Sequence, residues 1–319
     1  MIATTYTGKE ISVGSNVIYD ATTDAFKVTV EPFTLQGSSS GYNSGGYSPP
    51  TVLNVIQKFP FTSDSNATDV GDLTQARNTV SGQSSKVHGY TSGGNPTTNI
   101  IDKFPFAVDS NASDVGDLTQ ARSSVAGQSS FTNGYSSGGT SPPIVNTIDK
   151  FPFSADSNAS DVGDLTANRY RLTGQSSDPS GYISGGQSPG ATVNIIEKFS
   201  FSADGNATDV GDLTVARYVP AGQSSDVSGY TSGGTSPGNS NVIDKFPFAT
   251  DSNASDVGDL TAAKFSATGQ SSTSSGYTSG GRTPTYLNVI DKFPFSSDSN
   301  ATDVGDLLAV TSQAAGQQV

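Results

Sequence analysis

GYTSGGNPTTNIIDKFPFAVDSNASDVGDLTQARSSVAGQSS, residues 89–130, is one period of a pattern that fills nearly the whole 319-residue chain. Its opening unit, GY-x-SGG, occurs six times, with the tyrosine at positions 42, 90, 135, 182, 230 and 277, so the period is 45 to 48 residues. DVGDL follows each copy, starting at Asp69, Asp114, Asp161, Asp209, Asp256 and Asp303. KFPF, or KFSF in the fourth copy, lies between them, and GQSS occurs five times, from Gly82, Gly127, Gly174, Gly222 and Gly269.

Each period therefore holds four short segments: a around GQSS, b at GYxSGG, c at NIIDKFPF and d at DVGDLT. All have the length of strands and are too short for helices. The stretches between them, such as DSNAT and TSPGNS, are built of turn-forming residues. Four strands per period of this length is the signature of a propeller blade. In segment c, alternation sends Ile100, Phe104 and Phe106 to one face and Ile101 to the other, which suits a sheet covered on both sides by neighbouring blades. The proline of FPF has no N–H to give, so it marks the end of strand c.

The diglycine ending each b segment (Gly45, Gly93, Gly138, Gly185, Gly233 and Gly280 open the pairs), the aromatic c segment and the basic residue closing d (Arg77, Arg122, Arg169, Arg217, Lys264) resemble the kelch repeat. The resemblance covers nearly the whole chain and implies an all-β propeller. It departs in one respect: the family's tryptophan in strand d is missing, as the chain has no Trp at all, and Val-Gly-Asp-Leu stands there. The phrase KFPF followed by DSNATDVGDLT also resembles repeats of structural proteins of marine bacteriophages. That second resemblance implies a virion component.

The chain ends set the expected blade number. Residues 6–30 read as a degenerate b-c-d set: Tyr6 and Gly8 echo GYTSGG, Ser15 to Ile18 echo residues 239–244, and Phe26 to Val30 alternate like an outer strand. Ala315 to Gln318, AGQQ, echoes the AGQS of residues 221–224. Together they predict a single domain over residues 1–319, with six full repeats over about 33–312 and a seventh blade closed from 1–31 and 313–319. The alternative is six blades plus a separate N-terminal arm, with the C-terminal residues as a loose tail.

Composition narrows the function. There is no Cys, which excludes disulfides and thiolate metal sites. The net charge of −13 argues against nucleic acid as a partner. The N-terminus has no basic head and apolar run, so no secretion signal is expected, and no stretch reaches the roughly 18 apolar residues of a membrane span. Of the 29 acidic residues, 18 belong to the six c–d segments, three per copy, as in Asp64, Asp69 and Asp72. Their spacing fails the EF-hand pattern, because Asp69 stands where Gly is needed and no Glu closes the loop. Turn capping is the expected role, and neither a metal nor a cofactor is expected. Asn-Ala-Thr/Ser in all six loops is a by-product of the repeat. His88, the only histidine, falls in a surface turn, and no set of residues meets the requirements for catalysis. Sequence variation concentrates after strand d, at Arg169, Tyr170, Arg171, Arg217, Tyr218, Lys264 and Phe265, the candidate binding residues. The competing role for the basic ones is packing of their stems across blade ends with the charged heads wet. The expected function is a non-enzymatic structural or interaction propeller of a phage virion, partnered by other virion proteins. The alternative is a lectin-like module partnered by a cell-surface glycan. The expected charge layout is acid on one side and Arg169, Arg171, Arg217 and Lys264 on the other.

Overall fold

The computed structural model describes residues 35–319, together with three short strands near the N-terminus. Those strands, Thr5–Tyr6, Glu10–Val13 and Asn16–Asp20, form an antiparallel sheet of their own within a compact unit of residues 1–34. Phe26 to Val30, expected as an outer strand, lie outside the described residues.

Residues 35–319 form the second unit, a propeller of six four-stranded antiparallel blades. In blade II the strands are Ser81–Ser84 (a), His88–Ser92 (b), Ile100–Pro105 (c) and Ser113–Asp117 (d), and they pair in the order a-b-c-d. Blades III to VI repeat this arrangement from Ala126, Thr173, Ala221 and Thr268. Strand c ends on its proline, as the missing N–H requires. Strand d carries a bulge opposite Ile101 and Asp102, with Gly116 and Asp114 as their partners and Val115 left over between them.

The expected seventh blade is not formed. Blade I consists of Ser40–Ser44 (b), Val55–Pro60 (c) and Thr68–Asp72 (d), and its inner strand is Ala315–Gln318 from the other end of the chain, in register Ala315↔Ser44 to Gln318↔Gly41. The reason lies in the strand supply. Six copies of b, c and d meet only five GQSS segments, so the first repeat lacks an inner strand and the AGQQ segment fills the open edge. The six-blade alternative gives the right number, but its loose C-terminal tail is wrong too: those residues are an integral strand.

The core lies in the seams between blades. Tyr90 and Ile101 of blade II pack with Phe151 and Phe153 of blade III, and Ile101 faces this seam while Phe104 packs against Tyr42 in the seam behind. Every blade repeats this arrangement, so the two-faced strand c of the sequence is confirmed. Around the axis the six inner strands touch in a closed circle. At Gly82 a Cβ would stand 2.1 Å from the carbonyl oxygen of Gly316, and the same conflict recurs at the equivalent glycine of every blade. Only glycine permits this approach.

Candidate functional site

Three tiers of hydrogen bonds lock the inner strands together. In one, buried glutamines each donate from Nε2 to a tyrosine carbonyl of the next blade: Gln83 to Tyr135, Gln128 to Tyr182, Gln175 to Tyr230, Gln223 to Tyr277, Gln270 to Tyr42 and Gln317 to Tyr90. In a second, backbone N–H groups donate to the next blade's hydroxyl, from Ser84 to Ser129 onward, and Gln318 substitutes its Oε1 for the missing serine. In the third, at the mouth formed by the d–a loops, Thr79, Ser124, Arg171, Val219, Ser266 and Gln313 each donate a backbone N–H to the preceding member's carbonyl, Thr79 donating to Gln313, at 2.8 to 3.0 Å. All six have positive φ, between 48° and 60°. A cavity of about 170 Å³ lies along the axis, lined by the inner strands.

The basic residue closing strand d is not at this surface. Arg77, Arg122, Arg169, Arg217 and Lys264 are buried and reach across a seam to Asp102, Asp149, Glu197, Asp244 and Asp291 in strand c of the next blade, at 2.6 to 3.1 Å. The charged heads are buried with the stems, contrary to the wet-headed packing expected. Burial lowers the pKa of Arg77, Arg122, Arg217 and Lys264, and the facing carboxylate acts against it. Each carboxylate also accepts from the threonine after DVGDL, as Asp102 does from the N–H and hydroxyl of Thr74, at 2.9 and 2.6 Å. In the sixth seam, between blades VI and I, this buried position is neutral. Thr311 replaces the cation, Gln57 replaces the carboxylate, and Leu308 replaces the threonine, its N–H donating to Gln57 Oε1 at 2.8 Å. All three changes occur together because a lone charge buried there would be costly. This triple substitution is the signal in the sequence that the five cations have buried partners.

The acidic c–d segments wrap the outer rim. Asp64, Asp109, Asp156, Asp204, Asp251 and Asp298 each pair with the strand-c lysine of the preceding blade, for example Lys292 with Asp64. Asn66 accepts from the N–H of Asp306, as do its five counterparts in the other seams, and Asp69 accepts from the N–H of Gly71. The repeated aspartates and asparagines thus serve turns and seams.

What remains on the mouth face is uneven. The residue after each buried cation, or after Thr311 in its place, bridges to the residue after the diglycine, which sets the d–a and b–c loops side by side: Asn78↔Asn95, Ser123↔Thr140, Tyr170↔Gln187, Tyr218↔Thr235, Phe265↔Arg282 and Ser312↔Tyr47. Blades II and III carry small polar residues there; blades IV, V, VI and I carry rings. Arg171 is exposed, its guanidinium 5.3 Å from the Tyr170 ring and 5.6 Å from the Tyr218 ring, and it donates to Gln187 Oε1 at 3.2 Å. Arg282, which the candidate residues above omit, is also exposed and lies 4.9 Å from the Tyr286 ring and 5.9 Å from Phe265; Tyr286 meets Tyr47 edge-on at 5.7 Å. Tyr170, Arg171, Tyr218 and Phe265 therefore do lie on one face, while Arg169, Arg217 and Lys264 lie beneath it. Arg282 was legible as the one charged residue following a diglycine. His88 opens strand b of blade II, partly buried, and burial lowers its pKa.

No family model matches the chain, and no curated protein matches its sequence.

Proposed function

We propose that this chain is a non-enzymatic interaction propeller that presents its d–a/b–c face to a partner. The observation that carries this reading is the division of labour among its polar residues. The repeated Arg/Lys, Asp, Asn and Gln side chains are engaged in blade seams, and the departures that set guanidinium groups beside aromatic rings gather on one face, while the a–b turns at the other end of the strands also vary. A frame of near-identical units with variation carried by its loops is how repeat folds carry recognition. The repeat is of the kelch kind by its diglycine and its basic residue after strand d, with Leu and the aromatic seam taking the place of the family's tryptophan. The likeness of the KFPF–DSNATDVGDLT phrase to structural proteins of marine phages supports placement in a virion, with other virion proteins as partners. Mass spectrometry of purified virions tests the placement: finding the chain in stoichiometric amount supports it, and its absence from the particle refutes it.

A second reading, attachment to a cell-surface glycan, is favoured by the half-buried rings of Tyr170, Tyr218, Phe265, Tyr286 and Tyr47 on the same face, since pyranose rings stack on aromatic side chains.

A further inference from the structure

The six repeats serve as an internal comparison. At the position of Arg171 the other blades hold Thr79, Ser124, Val219, Ser266 and Gln313; at the position of Arg282 they hold Asn95, Thr140, Gln187, Thr235 and Tyr47. Two arginines have thus been added to a frame that does not need them. Among the described residues neither forms an ion pair, in contrast to the five buried cations below. Moreover, none of the six b–c loops and none of the six d–a loops contains an Asp or Glu, although the chain carries 29 acidic residues. A strongly acidic protein has kept the loops of one propeller face free of carboxylates and placed two guanidinium groups on them, each against two aromatic rings.

We propose that this face binds an acidic saccharide, its carboxylates held by Arg171 and Arg282 and its sugar rings lying on the flanking aromatics. The proposal rests on the glycan reading above and names its ligand class. The chemistry follows from the parts. A guanidinium offers paired donors that match a carboxylate. Stacking on Tyr170 and Tyr218 holds the Arg171 plane, so less freedom is lost on binding. The backbone of Arg171 is further pinned by the hydrogen bonds of the mouth, in which its N–H meets Ser124 and its carbonyl meets Val219. The half-exposed rings and the neighbouring amide of Gln187 suit a polyhydroxylated ring better than they suit the aliphatic side chains of an acidic peptide.

The test uses the full chain and calorimetric titration with three probes: an oligogalacturonate, the same oligosaccharide as its methyl ester, and poly-glutamate of similar charge. The expected result is saturable binding of the oligogalacturonate, weakened about tenfold by Arg171→Gln or Arg282→Gln and likewise by esterification, each of which removes a charge-assisted contact. Tyr218→Ala and Tyr286→Ala weaken it as well, with the melting temperature of each variant reporting that the frame is intact. Equal affinity for acid and ester would overturn the proposal and leave a neutral-glycan reading standing. Poly-glutamate binding as tightly, with the tyrosine variants unaffected, would overturn it in favour of an acidic peptide or bare charge attraction. No binding of either saccharide by the folded protein would overturn it without touching the virion placement, which mass spectrometry decides separately.

Discussion

Val219 turns the backbone with φ 48°, in a region that a β-branched side chain enters at a cost, because its carbonyl must accept from Ser266 and its N–H must reach Arg171. Asparagine tolerates this conformation, so Val219→Asn is expected to stabilise the protein by about 1 kcal/mol, read as a raised melting temperature; a lowered one would show that the Val219 side chain matters more than the strain. The buried ion pairs make a sharper residue-level prediction. Arg122→Thr leaves Asp149 without its counter-charge in the seam and is expected to cost about 3–5 kcal/mol. Copying the neutral seam with Arg122→Thr and Asp149→Gln together is expected to restore most of that loss, as a double-mutant cycle in urea would show. The sequence displayed this design at residues 57, 308 and 311. Reading the basic residue after strand d by itself, as a surface group, conceals it, since Arg169, Arg217 and Lys264 acquire their meaning only beside Glu197, Asp244 and Asp291.

Among the strands, Ala315–Gln318 carries the most consequence. It completes blade I, sends the Gln317 amide to the Tyr90 carbonyl and supplies Gln318 to the serine tier. Removing residues 313–319 is expected to lower stability by several kcal/mol and to promote association through the bared edge of Ser40–Ser44, since repeat folds depend on neighbour contacts. Chemical denaturation and sedimentation check both; a truncated chain that melts like the full one and stays monomeric would contradict the role assigned to this strand. Strand identity, strand order and the two-faced character of strand c were all legible, because they follow from local alternation and from where turn residues and proline fall. Blade number was not read correctly. Local echoes such as Tyr6 and Asn16-Val17-Ile18 look like blade strands, yet the strands Thr5–Tyr6, Glu10–Val13 and Asn16–Asp20 pair among themselves. Pairing is decided by which edge lacks a partner, and a count of inner strands against b strands would have revealed it.

For the molecule as a whole, six tyrosines of strand b sit in the six seams, and burial raises the pKa of each, to about 12 for Tyr42 and Tyr90. The folded state holds these protons more tightly than the unfolded chain, whose tyrosines titrate near 10. Their contribution to stability is therefore whole below pH 10 and is lost as the pH climbs above 10, through about 12 for Tyr42 and Tyr90. A cooperative alkaline unfolding within that window is expected, with phenolate absorbance and loss of tertiary signal rising together; smooth ionisation of all tyrosines in a folded protein would refute it. The expected charge layout needs revision at this scale. Among the described residues of the propeller, acid does stay off the d–a and b–c loops, but it follows the outer rim, and the basic side reduces to Arg171 and Arg282, because the other cations of that set are buried.

The six backbone hydrogen bonds at the mouth all run in one rotational sense, Thr79 to Gln313 to Ser266 to Val219 to Arg171 to Ser124 and back to Thr79. A helix also lines up its peptide dipoles, but it has two termini with orphaned groups that need caps. A circle of dipoles has no terminus. Its moments cancel around the circuit, so it presents no pole to the channel and requires no capping residue. Cutting it anywhere makes it a line with two ends. In the chain lacking residues 313–319, the N–H of Thr79 loses its acceptor and the carbonyl of Ser266 loses its donor, at positions far apart in the sequence. Accelerated hydrogen exchange at Thr79, beside a blade that keeps all four of its own strands, is the expected mark of an opened circuit.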